Sequence, residues 1–291
     1  MKKWNLVVDV AKCFNCNCCA LACHDEYRGN DFPGYAAEMP QHGHRWIDIL
    51  QRESGQQPVV EVSYLPVMCN HCDDPPCLKA AKNGAVVKRA DGIVLIVPEK
   101  ARGQRQIVDA CPYHAVHWNE EKQLPQAWPF DAHLLDQGWT RTRGSQLCPT
   151  QAMRTLHLSD DEMQRLVERD GLEVLEPEHG TKPRVYYRNL ARFRSVFIAG
   201  ALTRTVTGVV ECAAGVQVSL MQGGKTFGEQ ISDTFGDFRF RNLKPDSGSY
   251  KLRIHDGQRE QLELDVEVKQ QSTYLGAIEL RLALSPESMT S

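Results

Sequence analysis

The sequence lacks the features that would let the chain cross a membrane, bind nucleic acid or use a nucleotide. No apolar run reaches the roughly 18–20 residues that a spanning helix needs. The formal net charge is -3, so no strongly basic surface is indicated that would attract nucleic acid or an anionic membrane. Phosphate-binding Gly-rich loops, nucleotide fingerprints and the G-x-S-x-G motif of hydrolases are also missing. We therefore expect a chain without a substrate site of its own.

A secretion signal is also missing from the N-terminal segment. Residues 1–9 contain two lysines but neither an extended apolar region nor a small-residue cleavage site. We therefore expect a cytoplasmic protein, with export in complex with a signal-bearing partner as the alternative. Disulfides are rare in a reducing compartment, so the cysteines of this chain need another explanation.

Cysteine is the residue that is present in excess, at 11 copies. The first dense group is Cys13, Cys16, Cys18, Cys19 and Cys23, the second is Cys69, Cys72 and Cys77, and two remote cysteines, Cys111 and Cys148, each precede a proline. Without Cys18, the first group has the C-x2-C-x2-C-x3-C spacing of bacterial ferredoxins, in which a remote Cys-Pro supplies the last ligand of a 4Fe–4S cluster. Two triplets and two Cys-Pro sites predict two four-thiolate sites.

Zinc is the other metal that this pattern could serve. Pairs with C-x2-C spacing also build tetrahedral zinc sites. Zinc sites are assembled from pairs, however, whereas this chain has triplets and both remote cysteines precede proline. The spacing favours iron–sulfur clusters, and a zinc-stabilised interaction module remains the alternative from another functional class.

The pattern of predicted elements indicates an α+β chain with a β-rich C-terminal part. We predict a ferredoxin-type 4Fe–4S domain over residues 1–158, a helix and extended linker over 159–202, a seven-stranded β-sandwich over 203–284 and a polar tail over 285–291. The capping box Ser159-Asp-Asp-Glu162 predicts a helix that ends near Gly171.

Local turn signals and one isolated cysteine complete the structural predictions. Hairpins are predicted to turn at Ser54-Gly55 and at Asp91-Gly92. Cys212, which lies alone in the β-rich part, is expected to be a buried small hydrophobe rather than a metal ligand.

Four motifs resemble the iron–sulfur subunits of the dimethyl-sulfoxide-reductase superfamily of molybdenum enzymes. They are Cys13–Cys23, the Cys-Asn-His-Cys-Asp-Asp-Pro-Pro-Cys run of 69–77, Ala-Cys-Pro-Tyr at 110–113 and Cys-Pro-Thr-x-Ala at 148–152. Thr-Lys-Pro-Arg-Val-Tyr-Tyr at 181–187, followed by a sandwich, is similar to the small subunits of pyrogallol–phloroglucinol transhydroxylase and resorcinol-hydroxylase-type enzymes. The resemblance covers nearly the whole chain.

The resemblance implies a ferredoxin-like domain followed by a transthyretin-like (carboxypeptidase-regulatory-like) β-sandwich. It also implies a non-catalytic electron-transfer subunit in a heterodimer, or in a higher oligomer of heterodimers. The partner would be a large catalytic subunit with bis-molybdopterin guanine dinucleotide and Mo or W, acting on hydroxylated aromatic compounds. A relay for a respiratory molybdenum reductase is the alternative within the same class.

The chain departs from the superfamily in its third motif. Full members carry four motifs and four clusters, and the third motif would need cysteines at Ala101, Gln104 and Ile107, with a remote ligand at Ala81. None of these residues is cysteine, so this cluster is expected to be absent. The resemblance then implies one complete set of ligands, here called site 2: Cys69, Cys72, Cys77 and Cys111.

The fourth motif is reduced in the same way. Gly144 lies where a third cysteine would precede Cys148, and no C-x2-C occurs between Asn119 and Gly144. The resemblance implies a second complete set, here called site 1: Cys13, Cys16, Cys19 and Cys148. Cys23 is left over and is expected to be a buried thiol without metal; the alternative is a third cluster with unusual ligands such as Asp131 or His133.

The remaining candidate residues are expected to have structural roles rather than to bind metal. Cys18 is expected to be a small loop residue, although it could replace Cys19 as a ligand. His42 and His44 resemble a metal pair but are expected to be solvated or bonded to backbone. His71 and His114 are expected to tune or pack against the clusters rather than ligate them.

Overall fold

A computed structural model describes residues 1–257 and 262–281. The backbone contacts divide the chain into two compact units. Unit 1 contains Met1–Gln51 and Ser63–Phe193, and unit 2 contains Arg52–Val62 and the described residues from Arg194 onward. Each unit has its own hydrophobic core. None of the helices formed by the described residues has the length and apolar character that a membrane crossing requires.

The chain up to residue 194, which is mostly unit 1 but includes Arg52–Val62 of unit 2, consists of short strands and mostly short helices. The strands are β1 (Lys2–Asp9), β2 (Ile47–Gln56), β3 (Val59–Met68), β4 (Val86–Lys88), β5 (Val94–Ile96), β6 (His117–Asn119), β7 (Leu124–Gln126), β8 (Met153–Ser159) and β9 (Val185–Arg188). The helices are α1 (Cys18–Tyr27), α2 (Pro76–Ala80), α3 (Pro98–Ala101), α4 (Gln106–Asp109), α5 (Ala132–Asp136), α6 (Arg143–Leu147), α7 (Asp160–Asp170) and α8 (Ala191–Arg194), with a 3-10 turn at Pro177–His179.

Strand β1 is the centre of the sheet that leads into the first cysteine loop. It pairs with β8 in antiparallel and with β9 in parallel orientation. Leu6 and Val8 on one face pack into the main core of the unit, while Val7 on the other face packs against Met163 and Leu172, so the strand is buried on both faces. At its end the carboxylate of Asp9 accepts hydrogen bonds from the Ala11 backbone N–H and from Asn189, so the start of the cysteine loop is fixed.

The helix predicted from the capping box is confirmed, but the predicted linker around it is different. The Ser159 side chain caps α7, Glu162 reaches back to the Ser159 backbone, and Gly171 ends the helix in the left-handed conformation. Residues 159–193 belong to unit 1, where β9 adds to the sheet beside β1. Val185 and Tyr187 are fully buried there, and that burial holds the segment in the core rather than along the surface.

The hairpins β4–β5 and β2–β3 form, although the second turns at a different point from the prediction. Strand β2 extends past Gly55 to Gln56, and the chain reverses at Gln57-Pro58. Gly55 is needed within the strand because a Cβ there would come within 2.3 Å of the Val59 carbonyl oxygen. The glycine therefore marks a close approach of backbone, not the turn.

Unit 2 is a β-sandwich of two four-stranded sheets among the residues described. Its strands are β10 (Val196–Val206), β11 (Val209–Cys212), β12 (Gln217–Gln222), β13 (Lys225–Ile231), β14 (Asp237–Leu243), β15 (Gly248–His255), β16 (Leu262–Val268) and β17 (Thr273–Leu280). One sheet joins β11, β10, β14 and β17, and the other has the order β13-β12-β15-β16. Phe238 and Phe240 from β14 lie in the core between them.

The sandwich differs from the prediction at its beginning and at Cys212. The prediction of seven strands missed β10, whose first half is a continuous buried apolar run without alternation. Cys212 is exposed, so the prediction of a buried thiol is wrong; it ends β11, a strand whose residues are all exposed. The predicted polar tail, 285–291, lies outside the described residues.

Candidate metal centres

The cysteines of site 2 surround a cavity in unit 1. Cys69, Cys72, Cys77 and Cys111 all line it, and its free space is about 330 Å³, part of it open to solvent. Most other lining residues are apolar, among them Val94 and Val116. The thiol donors are therefore collected around a volume of largely non-polar character, which is the environment that soft iron–sulfur groups require.

Site 1 collects its cysteines in the same way from two separate segments. Burial, together with the neighbouring Cys13, Cys148 and Cys16, raises the pKa of Cys19 to about 12. Helix α6, which Cys148 directly follows, packs against α1, which contains Cys19. A Cβ at Gly144 would come within 3.3 Å of the Cys19 Cβ, so glycine allows this close packing. Gly144, predicted to replace a cysteine, thus lies at the contact between the two helices.

The two cysteine loops are built from the same local geometry. The residue two positions after the first cysteine, Asn15 in one loop and His71 in the other, has a positive φ angle. In each loop its backbone N–H donates a hydrogen bond to the sulfur of that first cysteine, Cys13 or Cys69, which opposes the larger rise in thiol pKa caused by burial. Backbone N–H groups that point at sulfur stabilise thiolate, the form that binds metal.

The two remote cysteines also share a local structure. Each follows a short helix, and the residue three positions later, His114 or Gln151, has a positive φ angle. In both turns the backbone N–H of that residue donates to the carbonyl oxygen of the cysteine, at 3.2 Å for Cys111 and for Cys148. Proline after the cysteine suits such a turn because its φ is already fixed.

The cavity of site 2 fits an iron–sulfur cluster, because four thiol donors stand around one space. Asn70 lines this cavity, is only 2% exposed, and has no hydrogen-bond partner for its amide nitrogen or oxygen among the described residues. Buried amides normally have a hydrogen-bond partner, so a polar, sulfur-rich group bound in the cavity would supply the partner that Asn70 lacks.

A segment distant in sequence braces the loop of site 2. The backbone of Asp73 and Asp74 donates hydrogen bonds to the carbonyls of Lys182 and Thr181, at 2.8 and 3.0 Å. The Thr181 hydroxyl bonds to Tyr113 Oη at 2.6 Å. Burial raises the pKa of Cys72, and a hydrogen bond from Thr181 opposes that rise. The segment therefore contacts both chain pieces that supply cysteines to site 2.

Arg184 anchors this bracing segment. Its guanidinium is 3% exposed and forms ion pairs with Asp73 and Asp160, at 2.6 and 2.8 Å. It also donates to the side chain of Asn5 in β1. One cation thus joins the loop of site 2, the start of α7 and the central strand of the sheet.

The residues that replace the third motif form a filled core. Ala81, Ala101 and Ile107 belong to one apolar cluster together with Cys77 and Cys111. Gln104 bonds from its side chain to both the backbone N–H and the carbonyl of Lys82, at 2.8 and 3.1 Å. The substituted positions are therefore occupied by packed side chains and a bridging amide.

The surroundings of Cys23 are polar, and most of their polar atoms are hydrogen-bonded; His133 Nδ1 is buried without a hydrogen-bond partner among the described residues. Cys23 is 3% exposed, and burial raises its pKa well above the usual value. The Asp131 carboxylate accepts from Tyr27 Oη, Trp128 Nε1 and the Arg143 backbone N–H, at 2.8, 2.9 and 2.8 Å. The same network includes His133, whose Nε2 lies 2.7 Å from Glu26. The carboxylate that could have served as an unusual ligand is engaged by three donors.

The other candidates lie apart from both sites or within their loops. Cys18 begins α1 rather than lying in the loop, because Asn17 ends the loop in the left-handed conformation. His42 is exposed, and His44 bonds to the Trp118 carbonyl at 3.0 Å. His114 is exposed and does not pack.

His71 is the one buried histidine of the cysteine loops that the structure describes. Its Nδ1 accepts from the Val94 N–H at 3.1 Å, and burial lowers its pKa to about 3. The ring is therefore a neutral packing residue beneath the loop.

Comparison with known proteins gives a consistent assignment. A domain family described as "4Fe-4S dicluster domain" matches residues 60–157. The chain is 41% identical over 283 residues to the pyrogallol hydroxytransferase small subunit of Pelobacter acidigallici, covering 96% of this chain and 100% of that protein. It is 33% identical to a tetrathionate reductase subunit of Salmonella typhimurium, covering 65% of this chain and 73% of that protein.

A third relative belongs to the same group. A putative dimethyl sulfoxide reductase iron–sulfur subunit of Halobacterium salinarum is 30% identical, with 65% of this chain and 80% of that protein covered. The predicted family is thereby confirmed. The chain belongs to the iron–sulfur, electron-transfer subunits of the dimethyl-sulfoxide-reductase superfamily of molybdenum oxidoreductases, in the group that contains the pyrogallol hydroxytransferase small subunit.

Proposed function

We propose that this chain holds two 4Fe–4S clusters and passes electrons to or from a large molybdopterin-containing subunit that acts on a hydroxylated aromatic compound. Site 1 and site 2, as defined above, supply the thiolates. The cavity lined by all four cysteines of site 2 is the observation that carries the proposal, because it brings a triplet and a remote Cys-Pro together around one space, as a 4Fe–4S cluster requires. Cys23 is proposed to be a structural thiol.

The chemistry of the proposed substrate explains why a relay is needed. Hydroxylation of an aromatic carbon by water releases a pair of electrons and two protons, and dehydroxylation consumes them. When bound, a cluster takes up or releases one electron at a time. The residues of this chain hold the thiolates in place, direct backbone N–H groups at sulfur and exclude water with apolar side chains.

The partner is proposed to dock beside site 1. Three large apolar side chains next to its cysteines are exposed: Phe14 by 54%, Leu21 by 64% and Leu147 by 49%. Exposed apolar groups gathered around one functional site are typical of a protein interface. The large subunit would cover them and shield site 1 from solvent. The C-terminal sandwich, proposed to be of the transthyretin-like type, would add a further contact surface.

The experiment is anaerobic purification of the chain with its native partner, followed by metal analysis and substrate addition. We expect molybdenum or tungsten in the partner, and bleaching of the brown cluster absorbance when pyrogallol is added to the oxidised complex. A colourless preparation that contains only zinc would contradict the proposal. Bleaching by small inorganic or organic respiratory substrates but never by a polyphenol would instead assign the chain to a respiratory reductase.

A further inference from the structure

Asn70 is a buried polar residue whose side chain forms no hydrogen bond with the described residues. It lies between Cys69 and Cys72 and lines the cavity of site 2. Its side-chain nitrogen and oxygen both lack hydrogen-bond partners among the described residues, while its backbone carbonyl is already engaged by the Arg184 N–H at 2.8 Å. A buried polar group that lacks a hydrogen bond destabilises the fold, so a partner for the amide is expected.

The lining of the cavity limits what that partner can be. Besides Asn70, the lining residues are the four cysteines of site 2, Pro75, Pro76, Val94, Pro112, Tyr113 and Val116. Tyr113 has its hydroxyl bonded to Thr181. The other polar side-chain atoms of the lining residues are the cysteine sulfurs, and a cluster bound there would add sulfide. Sulfur of a thiolate or sulfide is an acceptor, and the amide nitrogen is the donor of Asn70.

We propose that Asn70 Nδ2 donates a hydrogen bond to a sulfur of the cluster in site 2 and raises the reduction potential of that cluster. The inference rests on the proposed function, because it requires a cluster in site 2. Reduction adds negative charge to the cluster, and an N–H donor stabilises the more negative state. Removal of the donor therefore lowers the potential.

Site 1 lacks this donor. The residue that follows its first cysteine is Phe14, an exposed apolar side chain, where site 2 has Asn70. The backbone hydrogen bond to the first cysteine is the same in both loops. The side-chain amide is thus a difference between two otherwise similar loops, and it gives the two clusters different potentials.

The test is redox titration followed by EPR spectroscopy on the full chain in complex with its partner. Cys148→Ala is used as the background, since it should leave only the cluster of site 2. In this background, Asn70→Leu removes both polar atoms at similar volume, and Asn30→Leu, the same substitution at an exposed asparagine outside both cysteine loops, is the control. We expect Asn70→Leu to lower the ratio of reduced to oxidised cluster about tenfold at fixed potential, a shift of about 59 mV for one electron. Asn30→Leu should leave the potential unchanged.

The outcomes separate this inference from the proposed function. A Cys148→Ala protein without any cluster signal would contradict the assignment of site 2 itself. A loaded Asn70→Leu protein with unchanged potential would overturn the role of Asn70 alone. If Asn70→Leu does not retain iron, pulsed EPR of the reduced Cys148→Ala protein in D2O decides. Asn70→Ala in that background should lose one exchangeable deuteron coupling while those of the backbone N–H groups remain, and an unchanged set of couplings would overturn the inference.

Discussion

At the scale of single residues, His44 and His117 make the stability of the folded state sensitive to a fall of the pH into the mildly acidic range. Their ring centroids are 5.2 Å apart. Burial lowers the pKa of both rings, and a backbone hydrogen bond to each ring opposes part of this shift. For His117, the charge of His44 lowers the pKa further, and the nearby Asp48 raises it. The folded state therefore binds fewer protons than the unfolded state.

The sign of the pH dependence follows directly. The contribution of the pair is full above the unfolded histidine pKa of about 6.5 and is lost as the pH falls below it. We predict that His117→Gln loses less thermal stability than the wild type between neutral pH and pH ~5.5. Anaerobic thermal melts across this range check it, with exposed His42→Gln as the control. Equal losses in all three proteins would contradict the prediction.

Asp131 gives a second test at the residue scale. Asp131→Asn should lower the free energy of unfolding by about 1–3 kcal/mol, because at least one of the three buried donors around Asp131 loses its acceptor. The iron content should stay the same, since the carboxylate is engaged by hydrogen bonds. Chemical unfolding and iron analysis measure both quantities. A loss of iron in this variant would instead identify Asp131 as the ligand of a third cluster.

At the scale of elements, the segment that contains Thr181 and Arg184 holds the loop of site 2. Arg184→Leu removes the guanidinium from the Asp73 carboxylate, which keeps Lys88 as its second cation, and the loss of a hydrogen bond to a charged group costs about 1.5–3 kcal/mol. We predict that this variant loses roughly half of its iron, from site 2, because only that loop is braced by the segment. Arg169→Leu, on the exposed face of α7, is the control. Full iron in both variants would rule out the bracing role.

The same scale shows which parts of the sites the sequence could predict. The cysteine spacing identifies the ligand segments because each triplet is a local feature of one loop and one helix. Thr181 is far from Cys72 in sequence, so its contact depends on the tertiary fold. Asn70 could have been noticed as a polar residue inside a ligand triplet, but its burial and lack of a partner appear only in the structure.

The fold was predictable to a similar extent. The alternating apolar pattern of the sandwich strands and the capping box of α7 are local sequence signals. The strands and the capped helix that these signals predict are present in the structure. Strand β10 lacks alternation because both its faces are buried, and β9 is recognisable as a strand only through its pairing with β1. The exposure of Cys212 depends on the position of β11 in its sheet, which composition does not reveal.

At the scale of the whole molecule, the two units have separate cores and separate spectroscopic signals. All 5 tryptophans lie in unit 1. We predict that oxidative removal of the clusters lowers the midpoint of the tryptophan-fluorescence melt, because metal binding contributes to folding in proteins of this kind. The β-sheet circular dichroism of the sandwich should persist through that transition. Loss of both signals together at one lowered temperature would contradict independent cores.

The central claim is that two sets of four cysteines each hold one cluster. Iron and acid-labile sulfide per chain are measured in the anaerobic wild type and in the Cys111→Ala and Cys148→Ala variants. The account predicts about eight irons in the wild type and about four in each variant, with sulfide in equal amounts. About four or twelve irons in the wild type, or an undiminished content in either variant, would contradict it.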